Sequence, residues 1–367
     1  MRICFYNVTA SYIPGGLETY CWEAGRALAR RGHEVTIVAG NRGRAWHDEV
    51  GLVQFPFRIE QDWPHFGNRF RRLLERLSFA RHALRHLVES QYDAVIVNKP
   101  FDFPILWRAR RRGMRSTTLF RSGGTDYFAG DRLFSSAVTH WLSSSGYNAR
   151  QIEARYHRKV KVIHNGVDTQ VFHPHPRDAA ARAALGASDG DVLLVSVGRL
   201  VGWKGIRVAL EAVAASAAHV HYAVVGTGPE EESLKALAAR AGIADRVRFI
   251  GRVAHEALPA LLSQCDVFLQ PSIGEEAFGI SVVEAMACGL PVLASNNGGL
   301  PEIVVDGETG RLLPPGDVAA WSRAIAELAQ KPGAAQTLGA KARERAEAKF
   351  TWAENARQHE LLLMGGR

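Results

Sequence analysis

Pro271-Ser272-Ile273-Gly274-Glu275-Glu276-Ala277-Phe278-Gly279-Ile280-Ser281-Val282-Val283-Glu284-Ala285-Met286-Ala287-Cys288-Gly289-Leu290-Pro291-Val292 is the stretch on which the reading of this 367-residue chain turns. One apolar run, residues 267–269, precedes it, and another, residues 292–294, begins at its end. Both are short and bounded by turn residues, as buried strands are. Between them lie a loop carrying Glu275 and Glu276 and a helical pattern from Phe278 to Cys288. Two buried strands joined through a helix form a parallel pair. Glu284 stands inside that helix among Val282, Val283, Ala285 and Met286, which is not where an acid that merely solvates a surface sits. Glu276 and Glu284 are eight residues apart. That is ~12 Å along a helix axis, suited to the two ends of one extended ligand rather than to carboxylates sharing a proton. Free amides at the helix start could take a phosphate between them. A capping glutamate followed by a buried structural one would give the same letters.

The same alternation extends in both directions. In the second half, residues 192–197, 221–225 and 247–250 read as strands and residues 230–241 as a helix. In the first half, residues 2–8, 34–39, 93–97, 116–120 and 160–163 read as strands, and a helix over 16–31 is stopped by Gly32. Strand–helix repetition of this kind predicts an α/β protein of doubly wound parallel sheets covered by helices on both faces. The chain is too long for one ordinary core and fits two domains of roughly 180 residues. The best boundary is the proline- and histidine-rich stretch at 172–177, giving domains over 1–172 and 173–348. Residues 349–367 form a helical tail whose Trp352, Leu361, Leu362 and Leu363 can pack on either domain.

A composition of 47% hydrophobic and 22% charged residues argues against wholesale disorder. No apolar run approaches the ~20 residues of a membrane-spanning helix, and the opening Met1-Arg2-Ile3-Cys4-Phe5 reads as a strand rather than a signal peptide. Cys4, Cys21, Cys265 and Cys288 lie in apolar segments without metal or disulfide spacing, as reduced core thiols of a cytoplasmic protein would. No metal site is expected. Residues 1–175 carry 26 Lys plus Arg against 15 Asp plus Glu, a net +11, whereas residues 176–367 carry −3. The basic half points to an anionic partner: a phospholipid surface, a phosphorylated acceptor or nucleic acid. Nucleic acid is the weakest of these, since no recognition motif accompanies the charge.

Three glycine-rich turns follow strands. Gly15 and Gly16 precede the first helix, where backbone amides can approach an anion, or where the chain simply turns. Gly198-Arg199-Leu200-Val201-Gly202-Trp203-Lys204-Gly205 places two cations beyond the carboxyl end of a strand, where a doubly wound sheet opens its crevice and a diphosphate would suit them. Gly226-Thr227-Gly228-Pro229 offers amides at a further edge, and is equally readable as an ordinary strand-to-helix turn. The first strand is not followed by Gly-x-Gly-x-x-Gly, which argues against a nicotinamide-dependent oxidoreductase.

With these motifs in order, and with Asn165-Gly166-Val167-Asp168-Thr169, Asn296 to Glu302, Gly307 to Gly310 and Pro315-Gly316-Asp317 between and after them, the sequence resembles family 4 of the retaining, nucleotide-sugar-dependent glycosyltransferases along essentially its whole length. The resemblance implies a GT-B fold, two Rossmann-like domains facing a cleft, with the first binding acceptor, the second binding donor, and the last helix crossing back to the first. It implies that Arg199 and Lys204 bind the diphosphate and stabilise its departure. Glu276 would meet the donor sugar and Glu284 the ribose. Gly15, Gly16, Gly198, Gly226, Gly228, Phe278, Gly279, Ile280 and Gly298 would help line the donor pocket. No cofactor or metal is implied beyond a UDP- or GDP-linked sugar as donor substrate.

The family commonly carries a histidine after a central first-domain strand. Here that stretch reads Leu119-Phe120-Arg121-Ser122-Gly123-Gly124-Thr125-Asp126, with Gly123 or a neighbour in its place and Asp126 matching a later acid, so Asp126 is a candidate catalytic residue. Residues 66–88 form a basic amphipathic pattern: Phe66, Phe70, Leu73, Leu74, Leu77, Leu84, Leu87 and Val88 on one side, Arg69, Arg71, Arg72, Arg76, Arg81 and Arg85 around them. Arg69, Arg71, Arg72 and Arg76, with Arg121, are the candidate acceptor- or membrane-facing cations. An ordinary surface helix is the other reading of this segment. The expected activity is transfer of a sugar to a hydroxyl acceptor, polysaccharide or lipid-linked and anionic, in the cytoplasm or on the inner membrane face. A nucleotide-sugar epimerase of the same fold and a catalytically idle nucleotide-sugar-binding protein are the alternatives.

Overall fold

The computed structural model describes every residue except Pro14, His65, Phe66, Thr125, Gly366 and Arg367. It divides into two compact units, Met1–Gly166 with Trp352–Arg367, and Val167–Thr351.

The first unit is built on seven parallel strands: β1 (Arg2–Tyr6), β2 (Glu34–Gly40), β3 (Gly51–Phe55), β4 (Ala94–Val97), β5 (Thr117–Ser122), β6 (His140–Ser143) and β7 (Val160–Val162), in the order β3-β2-β1-β4-β5-β6-β7. Successive side chains of β1 enter opposite cores. Ile3 and Phe5 pack with Tyr20, Cys21, Ala24 and Leu28 of the helix Gly16–Arg30, while Cys4 and Tyr6 pack with Phe79, Ala83 and Leu87 of the helix Asn68–Glu89. Burial on both faces is why the central strands, β1 from Ile3 to Tyr6 and β4, read as unbroken apolar runs. The final helix, Trp352–Met364, belongs to this unit. Its Trp352, Ala356 and Leu363 join the core beneath the first helix. There Tyr20 Oη and His359 Nε2 lie 2.9 Å apart, both residues fully buried.

The second unit has six parallel strands: β8 (Val192–Val197), β9 (Val220–Val225), β10 (Val247–Gly251), β11 (Val267–Gln270), β12 (Val292–Ser295) and β13 (Gly310–Leu313), in the order β10-β9-β8-β11-β12-β13. Leu193 and Val195 face the core that holds Val282, Val283 and Met286 of the helix Ile280–Ala287, and Leu194 faces the core around Trp321 and Ile325 on the other side. The strand order reverses between β8 and β11, which places the crevice of a doubly wound sheet at their carboxyl ends.

Three strands escaped the sequence reading. β3 is a partly exposed edge strand, β6 is four residues beginning at His140, and β13 is four residues interrupted by Arg311, so none shows a sustained apolar run. The helix expected from Phe278 begins at Ile280, because Gly279 at φ +115° makes the turn into it. The units part between Gly166 and Val167, since Val167 N–H donates to Phe350 O at 2.9 Å and Phe172 is buried in the second unit. Among the described residues no helix is long and apolar enough to cross a membrane.

Candidate active site

At the carboxyl edge of the second sheet, β8 runs into Gly198 and Arg199, β9 into Gly226 and Gly228, and β11 into the loop that carries Glu276. A shallow recess between the β8 and β11 ends is lined by Gly198, Arg199, Lys204, Ile206, Gln270 and Pro271. The Arg199 side chain is exposed and makes no hydrogen bond or ion pair among the described residues. Lys204 instead ion-pairs with Glu276. The same carboxylate oxygen accepts from Gln270 Nε2 at 2.8 Å and from Ser272 Oγ at 3.1 Å. Glu276 is only 7% exposed. One cation and two neutral donors stand in for the hydration that this carboxylate loses on burial. Its backbone is held as tightly. Gly299 N–H donates to Glu276 O at 2.8 Å, and Gly298, at φ +61°, passes so close that a β-carbon would lie 2.2 Å from that oxygen. Only glycine fits there on both counts.

Glu284 sits buried in the helix Ile280–Ala287, and its Oε1 lies 2.7 Å from Nε2 of His255, a partly exposed residue on the loop leaving β10. The His255 ring leans on Phe172, centroids 5.0 Å apart. Burial, with the Glu284 charge adding to it, pushes the Cys288 thiol up to about 12, so it stays protonated. Phe278 is buried against Phe350, Gly279 precedes the helix and Ile280 opens it half-buried. Gln270, Ser272 and His255 were missed from the sequence. A glutamine and a serine flanking a proline at the end of a buried strand were the available signal for the first two. For His255 there was none beyond its place after a strand.

The first unit gathers a separate set of charges beyond β1, β4 and β5. Asp126 contacts Arg72 and receives Lys99 Nζ at 3.2 Å. Burial raises its pKa, but the Lys99 and Arg72 charges outweigh that and hold the carboxyl below its ordinary range. Two candidate surface cations must be corrected. Arg76 is 4% exposed and paired with the buried Asp102, and Arg121 is 1% exposed, lying over the Tyr20 ring and bonded to Asn165. Both side chains turn into the core rather than toward a ligand face, Arg121 because alternate residues of β5 point at the first helix. Arg71 spends its guanidinium on Glu60 O and Gln61 O at 3.0 and 2.8 Å, and Arg72 on Asp126, while Arg69 is exposed. Phe66 and Thr125 lie outside the described residues. Gly15 caps the first helix, which Gly16 opens. At Gly123, where the histidine was sought, a β-carbon would meet Leu17 Cδ2 at 2.4 Å, so Leu17 would have to turn aside for any side chain.

Two doubly wound parallel sheets, the second edged by glycine turns, cations and a buried acid, make the architecture of a GT-B glycosyltransferase. Residues 14–171 match the family model "Glycosyltransferase Family 4" and residues 178–345 match "Glycosyl transferases group 1". The chain belongs to this family. It is 28% identical over 385 residues to the GDP-mannose-dependent alpha-(1-6)-phosphatidylinositol monomannoside mannosyltransferase of Mycolicibacterium smegmatis, covering 98% of each chain. It is 37% identical over 241 residues to the D-inositol 3-phosphate glycosyltransferase of Streptomyces scabiei, covering 62% of this chain and 52% of that one. The chain thus spans about half the length of the inositol phosphate glycosyltransferases it matches. Among solved structures, Anabaena HepE in complex with UDP and glucose superposes with a TM-score of 0.83 at 22% identity, covering 100% of both chains. Among the described residues no cluster of three or more His, Cys, Asp or Glu is placed to hold a metal ion.

Proposed function

We propose that this protein transfers a sugar from a nucleoside-diphosphate donor to a hydroxyl acceptor with retention of anomeric configuration. The observation that carries the reading is the Lys204–Glu276 pair, held by Gln270 and Ser272 at the edge where β8 and β11 end. In this reading the diphosphate takes Lys204 and Arg199 as its counter-charges, and the two cations stabilise the negative charge that grows as the sugar–phosphate bond breaks. That charge balance requires no metal. Glu276, released by Lys204, accepts hydroxyl hydrogen bonds from the donor sugar. Glu284, with His255 behind it, accepts from the ribose. Gly198, Gly226, Gly228 and Gly298 let backbone approach the donor. Asp126, held ionised by Lys99 and Arg72, is the acceptor-side acid, and the first unit, Met1–Gly166 with the final helix, is the acceptor domain.

The donor is UDP- or GDP-linked. HepE is a UDP complex and the mycobacterial mannosyltransferase uses GDP-mannose. We place the acceptor among anionic or lipid-linked intermediates of glycolipid or polysaccharide assembly. The basic first half supports this, as do the relatives named for D-inositol 3-phosphate and for phosphatidylinositol monomannoside. Peripheral contact with an anionic membrane fits the same charge. Four free, buried cysteines suit a cytoplasmic setting. The missing histidine side chain at Gly123 favours one other reading, an idle donor-binding protein. Nucleoside-diphosphate release from a donor panel in excess chelator tests both. Acceptor-dependent release supports a transferase, and donor binding without turnover supports the idle protein.

A further inference from the structure

We propose that Trp203, with Ile273 beside it, is a stacking platform for a pyranose ring at the rim of the Lys204–Glu276 pair. Among the described residues of the second unit only Val171, Trp203 and Ile273 are large apolar side chains that stand exposed, and two of the three occur here on bonded backbone. Trp203 is 45% exposed, yet its backbone is fixed. Its carbonyl accepts from Ile273 N–H at 2.9 Å and Gly274 N–H at 3.0 Å, and Asn297 Nδ2 donates to Gly274 O at 3.0 Å. Three loops are thereby tied together beneath the indole. A β-carbon at Gly274 would lie 2.7 Å from Trp203 Cβ and 3.4 Å from Cγ, so the absence of a side chain there is what lets the indole lie on the loop.

The platform sits beside groups that recognise hydroxyls. Lys204 Nζ is 4.7 Å from the indole centroid and at the same time contacts Glu276. A pyranose has one face of C–H groups and a rim of hydroxyls. The indole surface left exposed takes the first, and the ammonium over the ring, with the carboxylate it contacts, takes the second. A large aromatic that stands half in water on a bonded backbone contributes little to its own fold. Its surface becomes useful when a ligand covers it, and its fixed position spares the ligand the entropy of ordering it. The Trp203 indole N–H, without a partner among the described residues, is a further donor for a ring hydroxyl.

The ring has two possible sources, the glycosyl group of the donor or a saccharide acceptor. The inference rests on the donor-site reading above, and the experiment separates the two. Calorimetry compares UDP with UDP-glucose and GDP with GDP-mannose. Saturation-transfer NMR reads methyl α-D-mannopyranoside and methyl α-D-glucopyranoside. Both use the full chain as wild type, Trp203→Ala and Trp203→Tyr. The platform requires that Trp203→Ala abolish the glycoside signal or cut the affinity gained from the sugar moiety at least fivefold. It also requires that Trp203→Tyr keep most of it and that nucleoside-diphosphate affinity change less than twofold. Loss in the nucleotide-sugar arm assigns the donor ring, and loss in the glycoside arm assigns an acceptor. Equal loss for UDP or GDP and their sugar conjugates overturns the proposal, leaving Trp203 as a prop for Lys204. No sugar response in wild type overturns it as well. So does an unchanged sugar response combined with Trp203-dependent sedimentation on phosphatidylglycerol vesicles, which would make the residue a membrane anchor. If neither diphosphate binds while the glycoside signal still depends on Trp203, the donor-site reading fails and the platform stands.

Discussion

The Nε2 of His255 lies 2.7 Å from Oε1 of Glu284, so a carboxylate buried in an apolar helix has its partner on the loop leaving another strand. A ligand that hydrogen-bonds Glu284 does so with a carboxylate already oriented, which lowers the entropic cost of binding.

Glu284→Gln is expected to weaken UDP or GDP binding by about 10- to 100-fold, the span of a hydrogen bond to a charged group. His255→Ala should weaken it less, and His255→Gln should recover part of the loss. Calorimetry with the free nucleoside diphosphate is the check. A Glu284→Gln protein that binds as wild type does would remove Glu284 from the nucleotide site.

Lys204→Ala should do two things at once. It removes the phosphate ligand proposed above, and it leaves Glu276 buried with only Gln270 and Ser272, costing about 1–3 kcal/mol of stability. Adding Glu276→Gln should return the stability without returning turnover. Urea unfolding and donor turnover, measured on the two single variants and the double variant, separate the effects. A double variant no more stable than Lys204→Ala would mean that the pair is not coupled.

Arg76→Ser strands the fully buried Asp102 and is expected to cost about 3–5 kcal/mol, as broken buried pairs do. Arg81→Ser, on the exposed side of the same helix, should stay within about 0.5 kcal/mol of wild type. Urea midpoints decide it. Contact of this helix with anionic vesicles is accordingly read from Arg69, Arg81 and Arg85 replaced together, not from Arg76.

His359 is neutral in the fold, its pKa pushed down to about 4 chiefly by burial. Unfolded, it titrates near 6.5, so between those values the unfolded chain binds more protons and stability falls as pH drops. The loss should reach about 3 kcal/mol by the lower end of the window. The measurement is the urea midpoint from pH 7 to pH 4 for wild type and His359→Gln. Parallel curves would show that His359 does not supply this dependence.

Much of the fold could be read because the central strands are buried on both faces, so β4 is an unbroken apolar run and β8 is broken only by Ser196. Where burial is partial or the strand is four residues long, as in β3 and β13, periodicity has too little length to register. The residues at the edge where β8 and β11 end were legible as types, two cations in a glycine loop and two acids around a helix start. That Lys204 and Glu276 meet was not, because they are 72 residues apart and only the adjacency of β8 and β11 joins them. The basic helix misled in the opposite direction. Counting arginines cannot show that Arg76 is consumed by Asp102 or Arg121 by Asn165, since each partner lies on a different element.

The most direct test of donor-sugar transfer at the Lys204–Glu276 edge is nucleoside-diphosphate release. Purified protein is given UDP- and GDP-sugars with phosphatidylinositol or inositol phosphate acceptors in excess chelator, alongside Glu276→Gln. Acceptor-dependent release from one donor, with a glycosylated product of retained configuration and at least a hundredfold loss in Glu276→Gln, is the expected result. Release that Glu276→Gln leaves unchanged, or conversion of the donor sugar to an epimer without an acceptor, would contradict it.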